Sequence, residues 1–251
     1  MRTSALILLL LTLVGCAETD PYKRLEPAPT PELTGAAVTA AFNERWPEQF
    51  KCVQTVTIDF RITTRTLVGY LVVQRPDRFR LQGMTEQGLK LFDVVGDGST
   101  ETVVFAAEEF DGKVITNIAR DIRRVFLLSA LFKPGWIRTR PDFGHLRVDE
   151  AQLQATELGT RAKLLGQSGD LSVNLVGDPA HVDWYEYQQS DRPLYRVDQY
   201  DWREQRPSTI VLREPGVQSD GPPYKLTIKI TEFTARDKPW PDRLFEPKEG
   251  G

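Results

Sequence analysis

The chain has 251 residues, 40% of them apolar and 27% charged, enough to bury a substantial core. Its 32 Lys and Arg against 35 Asp and Glu give a net charge of -3, without the basic excess that gripping nucleic acid requires. The two Cys and two His lack the close paired spacing of a zinc site, and two Cys cannot build a disulfide framework.

Met1 to Ser4 carry Arg2, and the ten residues from Ala5 to Val14 are apolar apart from Thr12. A helix needs about twenty apolar residues to cross a bilayer, so this stretch reads as the core of a signal peptide spanning residues 1–15. Leu13-Val14-Gly15-Cys16 has the pattern of a bacterial lipobox. Small residues there suit a processing peptidase, and the cysteine thiol is the nucleophile that takes a diacylglyceryl group. The expectation is a lipoprotein held to the membrane through lipid on Cys16; an ordinary secretory signal with an incidental cysteine is the weaker reading. Ala17, in place of Asp, is compatible with transfer to the outer membrane, the domain facing the periplasm. Pro21, Pro27, Pro29 and Pro31 then punctuate a stretch with little apolar material. Residues 16–33 are therefore expected to be the lipidated cysteine and a tether, whose last sixteen or so residues reach roughly 50 Å when extended.

From Thr34 the sequence reads as helical up to Pro47, with Thr34 as a cap and Val38, Ala41, Phe42 and Trp46 on one apolar stripe. The period then changes to two. Val56, Ile58, Phe60 and Ile62 alternate with Thr57, Asp59 and Arg61, as a half-buried strand requires. Leu67 to Gln74, Arg78 to Gly83, Leu89 to Val95 and Thr102 to Ala106 continue the series, with turns at Arg75-Pro76-Asp77 and Gly96-Asp97-Gly98. Links this short make the strands antiparallel neighbours. Val114 to Leu131 has helical spacing, with Arg120, Arg123 and Arg124 expected on its solvated side. Eight further strands are predicted between Leu146 and Phe233, and the tail from Ala235 is expected to be irregular. With no second linker, residues 34–247 form one domain. A sheet of some ten or more antiparallel strands must close or fold over to hide its inner face, and two helices are available to plug it. A curved, apolar-lined sheet of that kind is also a place for a greasy ligand.

Catalytic signatures are missing. There is no G-x-S-x-G, phosphate loop, dinucleotide fingerprint or H-E-x-x-H. His181 and Asp183 lack the third partner that a metal site or a base-and-orienter pair requires, so surface placement beside Pro179 is the expected reading, and Cys52 reads as a buried, inert thiol. Neither a metal nor a cofactor is called for. Strands of the predicted lengths, frequent prolines and a lipid anchor also speak against a transmembrane barrel.

One stretch carries a resemblance. Gly69-Tyr-Leu-Val-Val-Gln-Arg-Pro-Asp-Arg-Phe-Arg-Leu81, a short loop, and then Leu89-Lys-Leu-Phe-Asp-Val-Val-Gly-Asp-Gly98 is similar to the LolA/LolB-like lipoprotein-carrier superfamily. Leu244-Phe245-Glu246-Pro247 is similar to the carriers' C-terminal end, and the order of elements agrees. The resemblance implies a mainly β fold with helices: a strongly curved antiparallel half-barrel covered by helices, whose cavity accommodates acyl chains. It departs from the receptor member LolB in one place. That protein's loop after the R-F-R-L strand has an apolar tip, whereas Met84-Thr-Glu-Gln-Gly88 is polar. The lipoprotein-insertion role is therefore not expected, and a related outer-membrane lipoprotein is the better fit.

The expected function is non-enzymatic binding of acyl chains or another amphiphilic ligand, in lipoprotein or lipid handling at the envelope. Candidate lining residues are Phe60, Ile62, Leu71, Val73, Phe79, Leu81 and Leu91, each on an alternating strand. The alternative is a structural or assembly lipoprotein acting through contacts with an envelope protein.

Overall fold

Alternate residues along the first long strand, Phe50, Cys52, Gln54 and Val56, are buried, and this period organises the whole molecule. The structure is a computed structural model. It describes residues 20–30, 34–60, 63–98, 100–108, 110, 112–128, 147–148, 153–156, 159–165, 169–215 and 224–247. Helix α1 (Gly35–Glu44) precedes β1 (Gln49–Phe60), β2 (Thr63–Gln74), β3 (Arg78–Met84), β4 (Lys90–Asp97) and β5 (Thr100–Ala106). Helix α2 (Gly112–Ile122) runs on into π-helical turns over Arg123–Leu127. There follow β6 (Arg147–Val148), β7 (Gln154–Thr156), β8 (Gly159–Leu165), β9 (Asp170–Val176) and β10 (His181–Gln189). The last strands are β11 (Arg192–Arg203), β12 (Arg206–Glu214) and β13 (Tyr224–Arg236).

The thirteen strands among the described residues lie in one sheet, in the order β5-β4-β3-β2-β1-β13-β12-β11-β10-β9-β8-β6, with β7 also paired to β8. Every pairing is antiparallel, and the order follows the chain except where β13 returns to lie beside β1 and where β6 and β7 both pair with β8. Among the described residues the sheet does not close on itself. Its inner face is hidden by α1 and α2, which share one apolar core with it. The curved sheet covered by helices is thus the architecture found.

Local chemistry sets the element ends. Thr34 Oγ1 accepts from Ala37 N at 3.3 Å and caps α1. Helix α1 stops at Glu44, earlier than the predicted reach to Pro47, because a residue before proline is steered out of the helical region. Trp46 therefore sits in a turn, and the strand opens at Gln49, well ahead of the alternation visible from Val56. The predicted solvated side of the mid-chain helix needs correction. Arg120 pairs with Glu214 at 2.9 Å, Arg123 with Glu101 at 2.8 Å, and Arg124 with both Asp121 and Glu214. These arginines tie the helix to the sheet rims. Residues 129–131 of the predicted helix lie outside the described residues.

Two chain segments cover the outer face. Downstream of β13, Trp240 donates Nε1–H to the Val73 carbonyl at 3.1 Å, Asp242 accepts from Arg78 at 2.7 Å, and Phe245 is buried beneath Arg78. At the other end of the sheet, residues 20–30 run along β8 to β13. Lys23 N donates to Asp201 Oδ1 at 3.1 Å while the Lys23 carbonyl accepts from Asp201 N at 2.8 Å, and the Ala28 carbonyl accepts from Gly177 N.

Candidate functional site

The register places three rows of side chains across the inner face of β1 to β4. Phe50, Val73, Phe79 and Gly96 form one, and Cys52, Leu71, Leu81 and Val94 the next. The third is Gln54, Gly69, Gly83 and Phe92. Across the seam with β13, Val56 faces Ile228 and Ile58 faces Leu226. Ile115, Ile118 and Ile122 of α2 descend onto this floor, and a cavity of about 20 Å³ remains between helix and sheet. Gln54, Val56, Leu67, Leu81, Phe92, Ile118, Asp121, Ile122 and Tyr224 are among its walls.

Of the residues chosen from the sequence, Leu71, Val73, Phe79 and Leu81 are all buried on this face. Leu81 alone of them touches the cavity; the other three belong to neighbouring rows. Leu91 is only partly buried. A register shift at Gly83/Met84 leaves it at a bulge, and Phe92 takes the inward position. The side chain of Phe60, all of Ile62 and the lipidation residue Cys16 lie outside the described residues. Sequence reasoning missed Gln54, Phe92, Ile118, Asp121 and Tyr224. The alternation is plain only from Val56 onward, although Cys52 and Gln54 extend it in phase.

One edge of the hollow is polar. Tyr224 donates its hydroxyl to Asp121 Oδ2 at 2.9 Å, and Arg124 approaches Oδ1 at 3.4 Å. Burial raises the Asp121 carboxyl above its ordinary value, and Arg124, Arg120 and Tyr224 only partly offset it. Tyr224 is raised as well, first by burial and then by Asp121.

Other candidates are placed elsewhere. Asp183 is on the outer face, where it accepts from Arg24 at 3.2 Å, while His181 packs against the Trp202 ring with centroids 5.0 Å apart. Those contacts engage the two residues separately. Cys52 is buried, and desolvation pushes its thiol up to about 12, so it holds no thiolate at neutral pH. Among the described residues, no group of three or more His, Cys, Asp and Glu is arranged to hold a metal ion. The β3–β4 turn also differs from expectation. Leu89 N donates to Thr85 Oγ1 and Leu89 O accepts from Thr85 N, which keeps Leu89 in the turn, and its side chain is 68% exposed. The loop thus does carry an exposed leucine, one residue beyond the stretch read as polar.

No protein-family model and no curated protein sequence matches this chain. Among solved structures it is similar to a LolA superfamily protein from Nitrosomonas europaea, with a TM-score of 0.55 and 11% identity. That match covers 85% of this chain and 98% of the other. The chain has the LolA/LolB-like fold. A putative outer membrane lipoprotein-sorting protein domain from Vibrio parahaemolyticus also matches, at 7% identity and TM-score 0.48, over 83% of this chain and 94% of that one.

Within the LolA/LolB-like fold, the R-P-x-R-F-R-L segment is the β2–β3 hairpin, and each arginine has a structural task. Arg75 donates to the carbonyls of Asn43 and Trp46 at 2.8 and 2.6 Å and so fixes the exit of α1. Arg78 holds the C-terminal tail. Arg80 pairs with buried Asp93 at 2.9 Å. Burial alone would raise Asp93, but hydrogen bonds from Arg80 and Gln82 and the nearby Lys90 leave it lowered. Asp93 and Asp121 therefore act oppositely on stability. Asp93 contributes stability above its ordinary 3.8 that is lost as pH falls through its lower folded value. With Asp121 the folded state keeps the proton, so stability declines as pH rises from 3.8 through the higher folded value. Melting temperatures measured from pH 2 to 7 are expected to show a smaller acid-side fall in Asp93→Asn and a smaller decline above it in Asp121→Asn than in the wild type.

Proposed function

We propose that this chain is a non-enzymatic lipoprotein, anchored in the outer membrane through Cys16 and facing the periplasm. It binds an acyl chain or another amphiphile on the concave face of the sheet and takes part in lipid or lipoprotein handling. In this reading residues 1–15 are the signal peptide, 16–33 the lipidated cysteine and tether, and 34–247 the binding domain. The supporting observation is the way the apolar floor is covered. Ile115, Ile118 and Ile122 reach it from one amphipathic helix, so an acyl chain gains the same contacts by displacing that helix without breaking a strand pairing.

Lipid mass spectrometry of the protein purified from its native membrane tests this. The expected result is a co-purifying acyl lipid, with intact mass showing acylation at Cys16 and Cys16→Ala yielding an unprocessed precursor. A mature N-terminus elsewhere would end the anchor reading. A second reading, an assembly lipoprotein working through protein contacts, is favoured by one observation: the floor's own side chains leave a cavity of only about 20 Å³. Protein free of any lipid supports that reading.

A further inference from the structure

Gln54 is a carboxamide set into an otherwise apolar floor. Its residue is 1% exposed, and neither Oε1 nor Nε2 has a hydrogen-bond partner among the described residues. A buried amide left in this condition bears the full penalty of desolvation. The sheet is shaped around it. Gln54 lies opposite Gly69 on β2, where a Cβ would stand 3.0 Å from both Gln54 Cγ and Nε2. Gly83, next in the row, is covered by the Phe92 ring, to which a Cβ would come within 2.3 Å. Two glycines on adjacent strands thus provide the space in which the amide and the ring lie. The other polar groups of the hollow, Asp121 and Tyr224, already bond to one another.

We infer that the hollow under α2 takes an acyl ligand with an undissociated carboxylic acid head group, recognised in the plane of the Gln54 carboxamide. The inference rests on the acyl-binding reading above and names the head group of that ligand. A carboxamide offers a donor and an acceptor side by side. A neutral carboxylic acid answers both at once: its O–H donates to Oε1 while its carbonyl accepts from Nε2. An ester lacks the donor, and a carboxylate lacks it too. The site also selects the protonation state. Burial on an apolar floor disfavours a negative charge there, keeping the acid neutral. The alkyl chain then follows the line of Val56, Leu67 and Ile228 and takes the place of Ile118 and Ile122.

The test uses the full-length processed protein in phosphatidylcholine nanodiscs. Two photoactivatable probes are compared, a diazirine-bearing dodecanoic acid and its methyl ester, with labelled peptides located by mass spectrometry. The acid is expected to label peptides of β1 and α2 about tenfold more than the ester, the discrimination that hydrogen-bonding both amide atoms provides. Gln54→Leu is expected to bring that ratio to about one, with Gln54→Met as the variant to use if the leucine protein does not fold. Equal labelling of the wild type by both probes would overturn the head-group assignment and leave acyl binding standing. A preference that survives in Gln54→Leu and Gln54→Met would also overturn it, leaving the amide a structural group met by internal water. Labelling by neither probe would sink acyl binding itself.

Discussion

Trp46→Ala is expected to lower the free energy of unfolding by about 3–5 kcal/mol, the range for emptying a large aromatic site in a packed core. The Trp46 residue is 1% exposed, and its ring meets those of Phe50, Phe126 and Phe233 at centroid distances of 5.7, 5.1 and 6.1 Å. Those partners come from β1, from the end of α2 and from β13, so one side chain joins both helices to the seam of the sheet. Its indole N–H also donates to the Val125 carbonyl at 3.3 Å, a carbonyl that Arg45 approaches at 3.1 Å. Loss of the ring removes apolar contact and one of the two donors to the Val125 carbonyl in the π-helical turns. Urea unfolding should show a lower midpoint with an unchanged slope. Hydrogen exchange in α2 should accelerate more than exchange in β10 or β11, because the ring holds α2 directly. Val103→Ala, on the exposed edge strand β5, provides the control, with a change within about 0.5 kcal/mol. Equal exchange rates in α2 of variant and wild type would show that the helix is held by its arginine pairs alone.

That aromatic knot is only partly legible in the sequence. Helical spacing puts Val38, Phe42 and Trp46 on one stripe, and all three are buried. The strands are readable because a sheet covered on one face shows alternation directly, as in Leu67, Leu71 and Val73. The outer face defeats the same reasoning. Val211 and Asp198 are both buried there, because a remote part of the chain covers them. Asp183 and its partner Arg24 are 159 residues apart, and no local pattern announces such a pairing. Gln54 shows a different limit. A glutamine in an alternating run reads as solvent-facing unless the phase of the whole strand is known, and here Phe50, Cys52 and Val56 carry that phase on either side of it. Leu89 reads as part of a strand because it is apolar, whereas the turn hydrogen bonds of Thr85 decide its place.

Asp198→Ala is expected to free residues 20–30 from the sheet. The Asp198 side chain is 2% exposed and accepts from Arg24 at 2.6 Å, Arg196 at 3.0 Å and Arg213 at 2.6 Å. Asp20, equally buried, is held nearby by Arg213, Lys225 and the Tyr200 hydroxyl. Without the Asp198 carboxylate, Arg24, Arg196 and Arg213 lose their shared counter-charge and repel one another. The three arginines are 41%, 35% and 32% exposed to water, which screens the interaction. The expected loss is about 2–3 kcal/mol, below the range for a fully buried pair. Trypsin provides the direct measurement, since Lys23 and Arg24 lie inside the docked segment. The folded wild type should resist cleavage there, and Asp198→Ala should be cut while the domain stays intact. High salt should weaken the wild-type protection in the same direction. Under the proposed anchor the consequence is mechanical. With residue 20 docked, the chain from Cys16 spans at most about 14 Å; once released back to Thr34 it spans up to about 60 Å. The ion pairs then set how far the concave face stands from the bilayer. Unchanged tryptic protection in the variant would show that Asp20 and the backbone bonds of Lys23 and Ala28 suffice to dock the segment.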